Sequence, residues 1–177
     1  ELDRGAAVFG SVWIRESGQP AAGAIVWISP EGKQTIARED GSFEIDGLSP
    51  RKSRIQARLG ALRSHEAPNE ASEIALAPGV RHGPIWLSLS PGMILSGRVT
   101  DAQTGDPIAG ATIESTDSGA GEPLAAQSGP DGRYRLEGLP AGRIIARASA
   151  PGYVPKRGLA QTSSEGAETP LDYALAP

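Results

Sequence analysis

Apolar and polar residues alternate in short stretches along the whole chain. In residues 8–14, for example, Val8 and Val12 belong to one row of alternate positions, while Ser11 and Trp13 belong to the other. A period of two is typical of a β-strand with one buried face. Glycine and proline separate the stretches at intervals of about 8–12 residues, which favours turns between short strands. The predicted strands are 8–14, 24–28, 33–38, 43–48, 54–59, 84–89, 95–100, 111–116, 124–128, 133–136, 143–148 and 171–175.

One face of these strands supplies the predicted core. Its apolar members are expected to be buried and to pack two sheets together. No amphipathic helix of ten or more residues is predicted, and Glu70–Leu76 is compatible only with one short helical turn. The fold class is therefore all-β. The predicted core residues are Val12, Val26, Phe43, Ile45, Leu87, Val99, Ile113, Tyr134, Leu136 and Leu175.

The pattern repeats along the chain. SGQPAAGAIV at 17–26 recurs as TGDPIAGATI at 104–113, and REDGSFEIDGL at 38–48 recurs as GPDGRYRLEGL at 129–139. We therefore predict two tandem antiparallel β-sandwich modules of about seven short strands each, at 6–91 and 92–177. Residues 1–5 resemble the residues before the second copy. They are interpreted as the last strand of a preceding repeat or as a linker, although four similar residues could also be accidental.

The repeated segments resemble the carboxypeptidase regulatory-like domain family. The resemblance lies in GPDGRYRLEGLPAGRIIARASAPGYVP at 129–155 and in the earlier TGDPIAGATI. The first copy departs from this pattern at Leu48-Ser49-Pro50 and replaces the APGY turn with segment 60–83. The resemblance implies a transthyretin-like fold, also called carbohydrate-binding-like. It further implies an accessory module of a bacterial periplasmic, cell-surface or secreted protein, in contact with neighbouring repeats or domains.

Charge and composition exclude several classes of function. The net charge is −4, without a basic stripe of the kind that nucleic-acid binding requires. No run of about 18 apolar residues is present, so we expect no direct membrane insertion. The chain contains no cysteine, which excludes disulfides and thiolate metal sites.

Candidate catalytic groups are few. The histidines are His65 and His82, both within segment 60–83. Together with Glu66 they do not have the spacing of a known metal-binding motif. Intradiol dioxygenases, which share a related fold, hold iron through two tyrosines and two histidines. Here Tyr134 and Tyr173 lie on predicted core rows of the second copy, away from both histidines. We predict no catalytic residues, no cofactor and no metal site, and the protein is interpreted as not being an enzyme.

Acidic pairs in the first copy are given structural interpretations. Glu44 and Asp46 alternate with Phe43 and Ile45, so they are expected to form a solvated strand face. Asp40 and Asp131 precede glycine and are expected to bond the backbone of their own turns.

The repeat does not explain three tryptophans in the first copy. Trp13, Trp27 and Trp86 occupy outward positions, where the second copy has Thr100, Glu114 and Asp172. Exposed aromatic clusters mark contact surfaces. Three explanations remain open: segment 60–83 covers the tryptophans, a neighbouring repeat or protein packs on them, or a sugar stacks on them.

The leading functional hypothesis is a non-catalytic structural or interaction repeat module, serving as a spacer or protein-docking surface. The alternative is a carbohydrate-binding accessory module that uses the outward tryptophans.

Overall fold

The protein consists of two compact units, residues 1–90 and 91–177. The computed structural model describes residues 5–64, 73–115, 123–162 and 166–177, with the side chain of Thr162 left out. All regular structure in these residues is β-strand. None of them forms a helix long and apolar enough to cross a membrane.

The described residues of the first unit form eight strands. Hydrogen bonds join them in the order β3-β2-β5-β6-β8-β1-β4, and β7 pairs with β5. The strands are β1 Ala6–Ile14, β2 Ile25–Ser29, β3 Gln34–Ile36, β4 Ser42–Leu48, β5 Lys52–Leu59, β6 Leu62–Ser64, β7 Glu73–Ala75 and β8 Arg81–Pro91.

The second unit is built from two sheets. One has the order β11-β10-β13-β14, and in the other β9 lies between β12 and β15 and also pairs with β16. The strands are β9 Met93–Asp101, β10 Thr112–Ser115, β11 Leu124–Gln127, β12 Arg133–Leu139, β13 Gly142–Ser149, β14 Lys156–Thr162, β15 Glu168–Pro170 and β16 Tyr173–Leu175.

The described strands of the first unit form one continuous sheet of eight strands, where two packed sheets of about seven strands were predicted, and two further details also differ. The strands are not all antiparallel: β1 pairs with β8 in parallel, as β9 does with β15 and β16. The long excursion of chain between the first and last strands allows this, because parallel neighbours need a long connection. The helical turn expected at Glu70–Leu76 is wrong over 73–75, since β7 pairs with β5 and sets Ile74 opposite Ser53. Residues 70–72 lie outside the described residues.

The predicted core is confirmed. All ten residues named from the alternation are at most 4% exposed, and each joins the apolar cluster of its own unit. Val12, Val26 and Phe43 pack in the first unit, while Val99 and Tyr134 pack in the second. The tilted rings of Tyr134 and Tyr173, with centroids 6.1 Å apart, add aromatic area to the second core.

The same backbone contacts occur in both units. The Val12 N–H donates to Gly41 O and the Val99 N–H donates to Gly132 O, each over 2.8 Å. A further bridge joins Trp13 to Pro20 in the first unit, and its counterpart joins Thr100 to Pro107 in the second.

Glycine is required at equivalent close approaches. A Cβ on Gly10 would lie 1.9 Å from Ile85 O, and one on Gly97 would lie 2.0 Å from Leu171 O. Both distances are far shorter than a van der Waals contact, so only glycine lets the last part of the unit approach its first strand this closely.

Candidate interaction surface

Two of the three tryptophans lie on one face of the first unit. In the parallel ladder of β1 and β8, Ser11 is opposite Trp86 and Trp13 is opposite Ser88. Positions two residues apart on a strand share a face, so Trp13 and Trp86 are diagonal neighbours. We call this outer face, formed by Phe9, Ser11, Trp13, Trp86 and Ser88, the Trp13–Trp86 face.

The two rings differ in environment. Trp86 is 59% exposed, which is unusual for the largest apolar side chain. Trp13 is half-buried, and its indole Nε1 is enclosed without a hydrogen-bond acceptor among the described residues. An enclosed donor without a partner is costly. The face therefore combines an exposed ring with an unmet polar group.

Cationic side chains lie at both ends of this face. The guanidinium carbon of Arg81 is 5.1 Å from the ring centroid of Phe9, and Arg81 also forms an ion pair with Glu44. At the other end, Arg15 donates from Nη2 to Ser88 Oγ over 3.1 Å. Serine and arginine side chains thus lie on the same face of the sheet as the exposed indole. Glu44 was expected to be simply solvated, whereas the structure places it in this ion pair.

Trp27 does not belong to this face. It lies on β2, which β5 and β6 separate from β8, and it is only 2% exposed. Its neighbours Val26 and Ile28 enter the core, so its ring lies on the outer side of the sheet. Arg63 covers it there, with a guanidinium carbon 5.8 Å from the ring centroid.

The electrostatics of Arg63 reflect this position. Burial, and to a smaller extent the positive charge of Arg58, lower its pKa to about 10. Sequence reasoning did not identify Arg63, because an arginine in a short segment without clear alternation carries no signal of what it covers.

Segment 60–83 therefore accounts for the tryptophans only in part. One of the three explanations was that this segment covers all three tryptophans, and Arg63 of β6 does cover Trp27. Trp86 is exposed, and residues 65–72 of the segment lie outside the described residues, so cover of Trp86 by this segment stays a prediction. In the sheet β6 lies between β5 and β8, and its Arg63 side chain covers the Trp27 ring on β2.

The equivalent face of the second unit has different chemistry. Asp172, which aligns with Trp86, accepts the Arg98 backbone N–H at Oδ1 over 2.7 Å. Arg135 forms ion pairs with Glu137 and Glu168, both at 2.7 Å. Arg135, Glu168 and Asp172 border a shallow groove of about 340 Å³. The two units thus present an aromatic and a charged surface at the same place in the fold.

His82, one of the two histidines considered for catalysis, forms a hydrogen bond with the backbone. His82 Nε2 accepts the backbone N–H of Ala77 over 2.9 Å, which closes the turn before β8. His65 and Glu66 lie outside the described residues. Within the described part of the chain, no three His, Asp or Glu residues are placed to hold a metal ion.

The two core tyrosines donate hydrogen bonds to backbone carbonyls. Tyr134 Oη donates to Leu171 O over 2.5 Å, and Tyr173 Oη donates to Ala146 O over 2.9 Å. Burial raises the pKa of Tyr173 to about 12 and raises that of Tyr134 further, with smaller contributions from Tyr173 and Asp172. Both groups are held as neutral donors, which is the opposite of what a phenolate ligand of iron requires.

The turn aspartates have the expected contacts. Asp40 Oδ1 accepts the backbone N–H of Ser42 over 2.9 Å, and Asp131 Oδ1 accepts that of Arg133 over 3.0 Å. The hydrogen bonds from the side chain and then the backbone of Ser42 lower the pKa of Asp40.

Several solved structures are similar to the chain at low identity. They include the Bacillus anthracis TIE protein (12% identity, TM-score 0.43, 98% of this chain and 34% of that chain) and a streptococcal ancillary pilin (14%, 0.38, 96% and 63%). A third is 3-chlorocatechol 1,2-dioxygenase from Rhodococcus opacus (14%, 0.39, 49% and 60%). The chain spans less than two thirds of each of these proteins, and at such TM-scores the similarity carries no functional argument.

Comparison by sequence is more informative for the second unit. No curated protein matches the chain. Residues 94–176 match the family model of the carboxypeptidase regulatory-like domain.

Proposed function

We propose that the chain is a non-catalytic structural and docking element made of two copies of the carboxypeptidase regulatory-like module. The family match covers the second unit, and the proposal extends it to the first. The equivalent hydrogen bonds of Val12 and Val99 and the equivalent close approaches of Gly10 and Gly97 support this extension.

One observation carries the proposal: the two units share their backbone contacts but differ in their outer faces. Trp86 is exposed in the first unit, whereas Asp172 at the equivalent position holds the backbone of Arg98. A common scaffold with variable surfaces suits a module whose surfaces meet different partners. The groups considered for chemistry, His82, Tyr134 and Tyr173, have structural hydrogen bonds instead.

The proposed setting is a larger bacterial protein that is periplasmic, surface-exposed or secreted. The family match to the second unit supports it. Neighbouring repeats or domains of that protein are the proposed partners, and another envelope protein is a further one. In this role the exposed Trp86 is the centre of a protein contact, because large aromatic side chains dominate the energetics of such contacts.

A second candidate function is carbohydrate binding by the Trp13–Trp86 face. The observation that favours it is the exposed Trp86 ring between the Ser11 and Ser88 strand positions, with Arg15 bonded to Ser88. An aromatic platform beside hydroxyl and guanidinium donors offers both stacking and hydrogen bonds to a sugar ring.

Fluorescence of a single tryptophan separates the two candidates. In the variant with Trp13→Phe and Trp27→Phe, emission reports Trp86 alone. We expect soluble glucan, xylan, mannan and peptidoglycan fragments to leave its quenching by acrylamide unchanged. We expect rising protein concentration to reduce that quenching, since a second copy offers a neighbouring module as partner.

Two results would contradict the docking proposal. Protection of Trp86 by one polysaccharide, abolished by Trp86→Ala in the otherwise native chain, would establish carbohydrate binding instead. Quenching that responds to neither polysaccharide nor protein would remove this face as a contact surface and leave only the spacer role. Ile36→Ala, at an exposed apolar position of β3 outside this face, serves as the control.

A further inference from the structure

Strand β14 forms an open edge of the second unit. It lies at the end of the order β11-β10-β13-β14, and within the described residues it pairs only with β13. The pairing runs from Ala148 opposite Lys156 to Gly142 opposite Thr162 without a register shift. Among the described residues, one side of this seven-residue strand therefore has no strand partner and can accept further backbone hydrogen bonds.

The outer face next to this edge carries like charges side by side. Arg147 on β13 is directly opposite Arg157 on β14, and both side chains are exposed. Like charges in direct cross-strand positions destabilise a sheet. Among the described residues, neither arginine has an ion-pair partner, although Glu114 is opposite Arg147 on its other side. A carboxylate on the open side of Arg157 would relieve this repulsion.

An apolar pair lies next to the arginine pair. Ile145 is directly opposite Leu159, and Leu159 is 54% exposed. On the far side of this pair, exposed Arg143 is opposite Gln161. Along the edge strand, the outward positions are thus basic, apolar and polar in turn.

Positive charge is concentrated in the strands of this sheet, although the second unit as a whole has more acidic than basic residues. Residues 91–177 contain seven Lys and Arg and ten Asp and Glu, whereas strands β10, β11, β13 and β14 contain four basic residues and one acidic residue. The local field around β14 therefore attracts an anionic group, although the unit as a whole is acidic.

Strand β14 lacks the features that usually prevent an edge strand from pairing with another strand. Natural edges are blocked by proline, bulges or charge along the strand. In β14 only Lys156 and Arg157 are charged, and the next four residues are Gly-Leu-Ala-Gln. The ammonium of Lys156 donates to Ala174 O of β16 over 3.3 Å. Arg157 repels basic strands but favours acidic ones.

We propose that β14 accepts an extended acidic segment of a partner protein as a fifth strand of this sheet. In this arrangement a carboxylate of the segment lies opposite Arg157, and an apolar side chain lies opposite Leu159. The backbone bonds supply affinity and the side chains supply selectivity, as in other strand-addition sites. The apolar centre favours a protein segment over a uniformly charged polysaccharide. The inference names a partner chemistry for the proposed docking role and rests on that role.

A short peptide tests the proposal on the full chain. The probe is acetylated and amidated Thr-Glu-Thr-Val-Thr-Glu-Thr, which sets Glu, Val and Glu on one face. We expect fluorescence anisotropy of the labelled peptide to show saturable binding that weakens with salt. Hydrogen exchange followed by NMR is expected to show slower exchange of the β14 amide protons that are not bonded to β13. The same peptide with Lys in place of Glu should not bind.

Charge-reversed variants show whether Arg157 is responsible. Arg157→Glu should weaken binding of the acidic peptide about three- to tenfold, because the variant loses an attractive charge pair with the peptide and gains repulsion between two carboxylates. This variant also sets a carboxylate opposite Arg147, which favours the fold. The matched control is Arg133→Glu, an equal change of charge at a highly exposed position of the other sheet. It should leave binding unchanged.

Three results would overturn the inference. The first is equal binding of the Glu and Lys peptides, and the second is equal loss in the Arg157 and Arg133 variants. The third is displacement of the peptide by polyglucuronate without protection of β14 amides, which would identify a general polyanion surface. None of these results bears on the Trp86 quenching experiment, so the docking role and the strand-addition site can fail separately.

Discussion

The guanidinium carbon of Arg63 lies 5.8 Å from the ring centroid of Trp27, and both residues are at most 4% exposed. A cation over an indole face is a favourable contact, and the arginine stem covers apolar ring area at the same time. One side chain from a three-residue strand thus covers an aromatic ring that would otherwise be exposed.

Removing this cover should expose Trp27. In the variant with Trp13→Phe and Trp86→Phe, we expect Trp27 to emit at short wavelength and to be poorly quenched by acrylamide. Adding Arg63→Ala should shift the emission to longer wavelength and increase quenching. It should also destabilise the first unit by about 1–2 kcal/mol through lost cation–π contact and packing. Arg51→Ala, in the turn before β5, is the control, and equal quenching in the two variants would contradict the assigned contact.

Equivalent glycines should have equivalent effects in their own units. Gly10→Ala should destabilise the first unit and Gly97→Ala the second, each by about 2–3 kcal/mol, because the new methyl group overlaps a backbone carbonyl. Urea unfolding can separate the units, since all three tryptophans lie in the first and all three tyrosines in the second. Ser11→Ala is the neighbouring control. A variant that lowers both transitions equally would show that the units do not unfold independently.

Alkaline pH should destabilise the second unit first. Burial raises the pKa of Tyr173 from 10.0 to about 12, so the fold favours the neutral hydroxyl. This contribution is complete below pH 10 and is lost as pH rises from 10 towards 12; a shift of that size corresponds to a contribution on the order of 2 kcal/mol. In a pH titration, the rise in phenolate absorbance of Tyr173 and the unfolding of the second unit should occur over the same pH range. In Tyr173→Phe this dependence should shrink, and a Tyr173 that titrates at pH 10 in the folded protein would refute its buried donor role.

Acid should weaken the loop between β9 and β10. The backbone N–H groups of Gln103 and Thr104 and the hydroxyl of Tyr153 lower the pKa of Asp101 below its ordinary 3.8. The stabilisation is present above pH 3.8 and is lost as pH falls through the lower value of the folded state. Carboxyl titration by NMR measures the shift directly. Asp101→Asn should remove this acid dependence, whereas Asp106→Asn should retain it.

The alternation of side chains was sufficient to predict the main strands and their buried faces. Val12, Val26 and Phe43 occupy the predicted inward positions, and Trp13 and Trp86 share the predicted outward face. The Asp-Gly turns at 40–41 and 131–132 were also predictable, because the aspartate bonds nearby backbone and glycine accepts positive φ. These features depend on residues close together in the chain, so a local pattern contains the necessary information.

Contacts between distant segments could be decided only by the folded structure. Strands β6, β7, β14 and β15 were not predicted. Three of them have three residues each, and Lys-Arg-Gly-Leu-Ala-Gln-Thr of β14 has no clear alternation. The pattern placed Trp27 and Trp86 alike on outward positions, yet one is 2% and the other 59% exposed. Alternation specifies the direction of a side chain from its own strand, whereas its burial depends on which other strand lies across from it. Arg63 reaches Trp27 because β6 pairs with β5, and that pairing is a property of the tertiary structure.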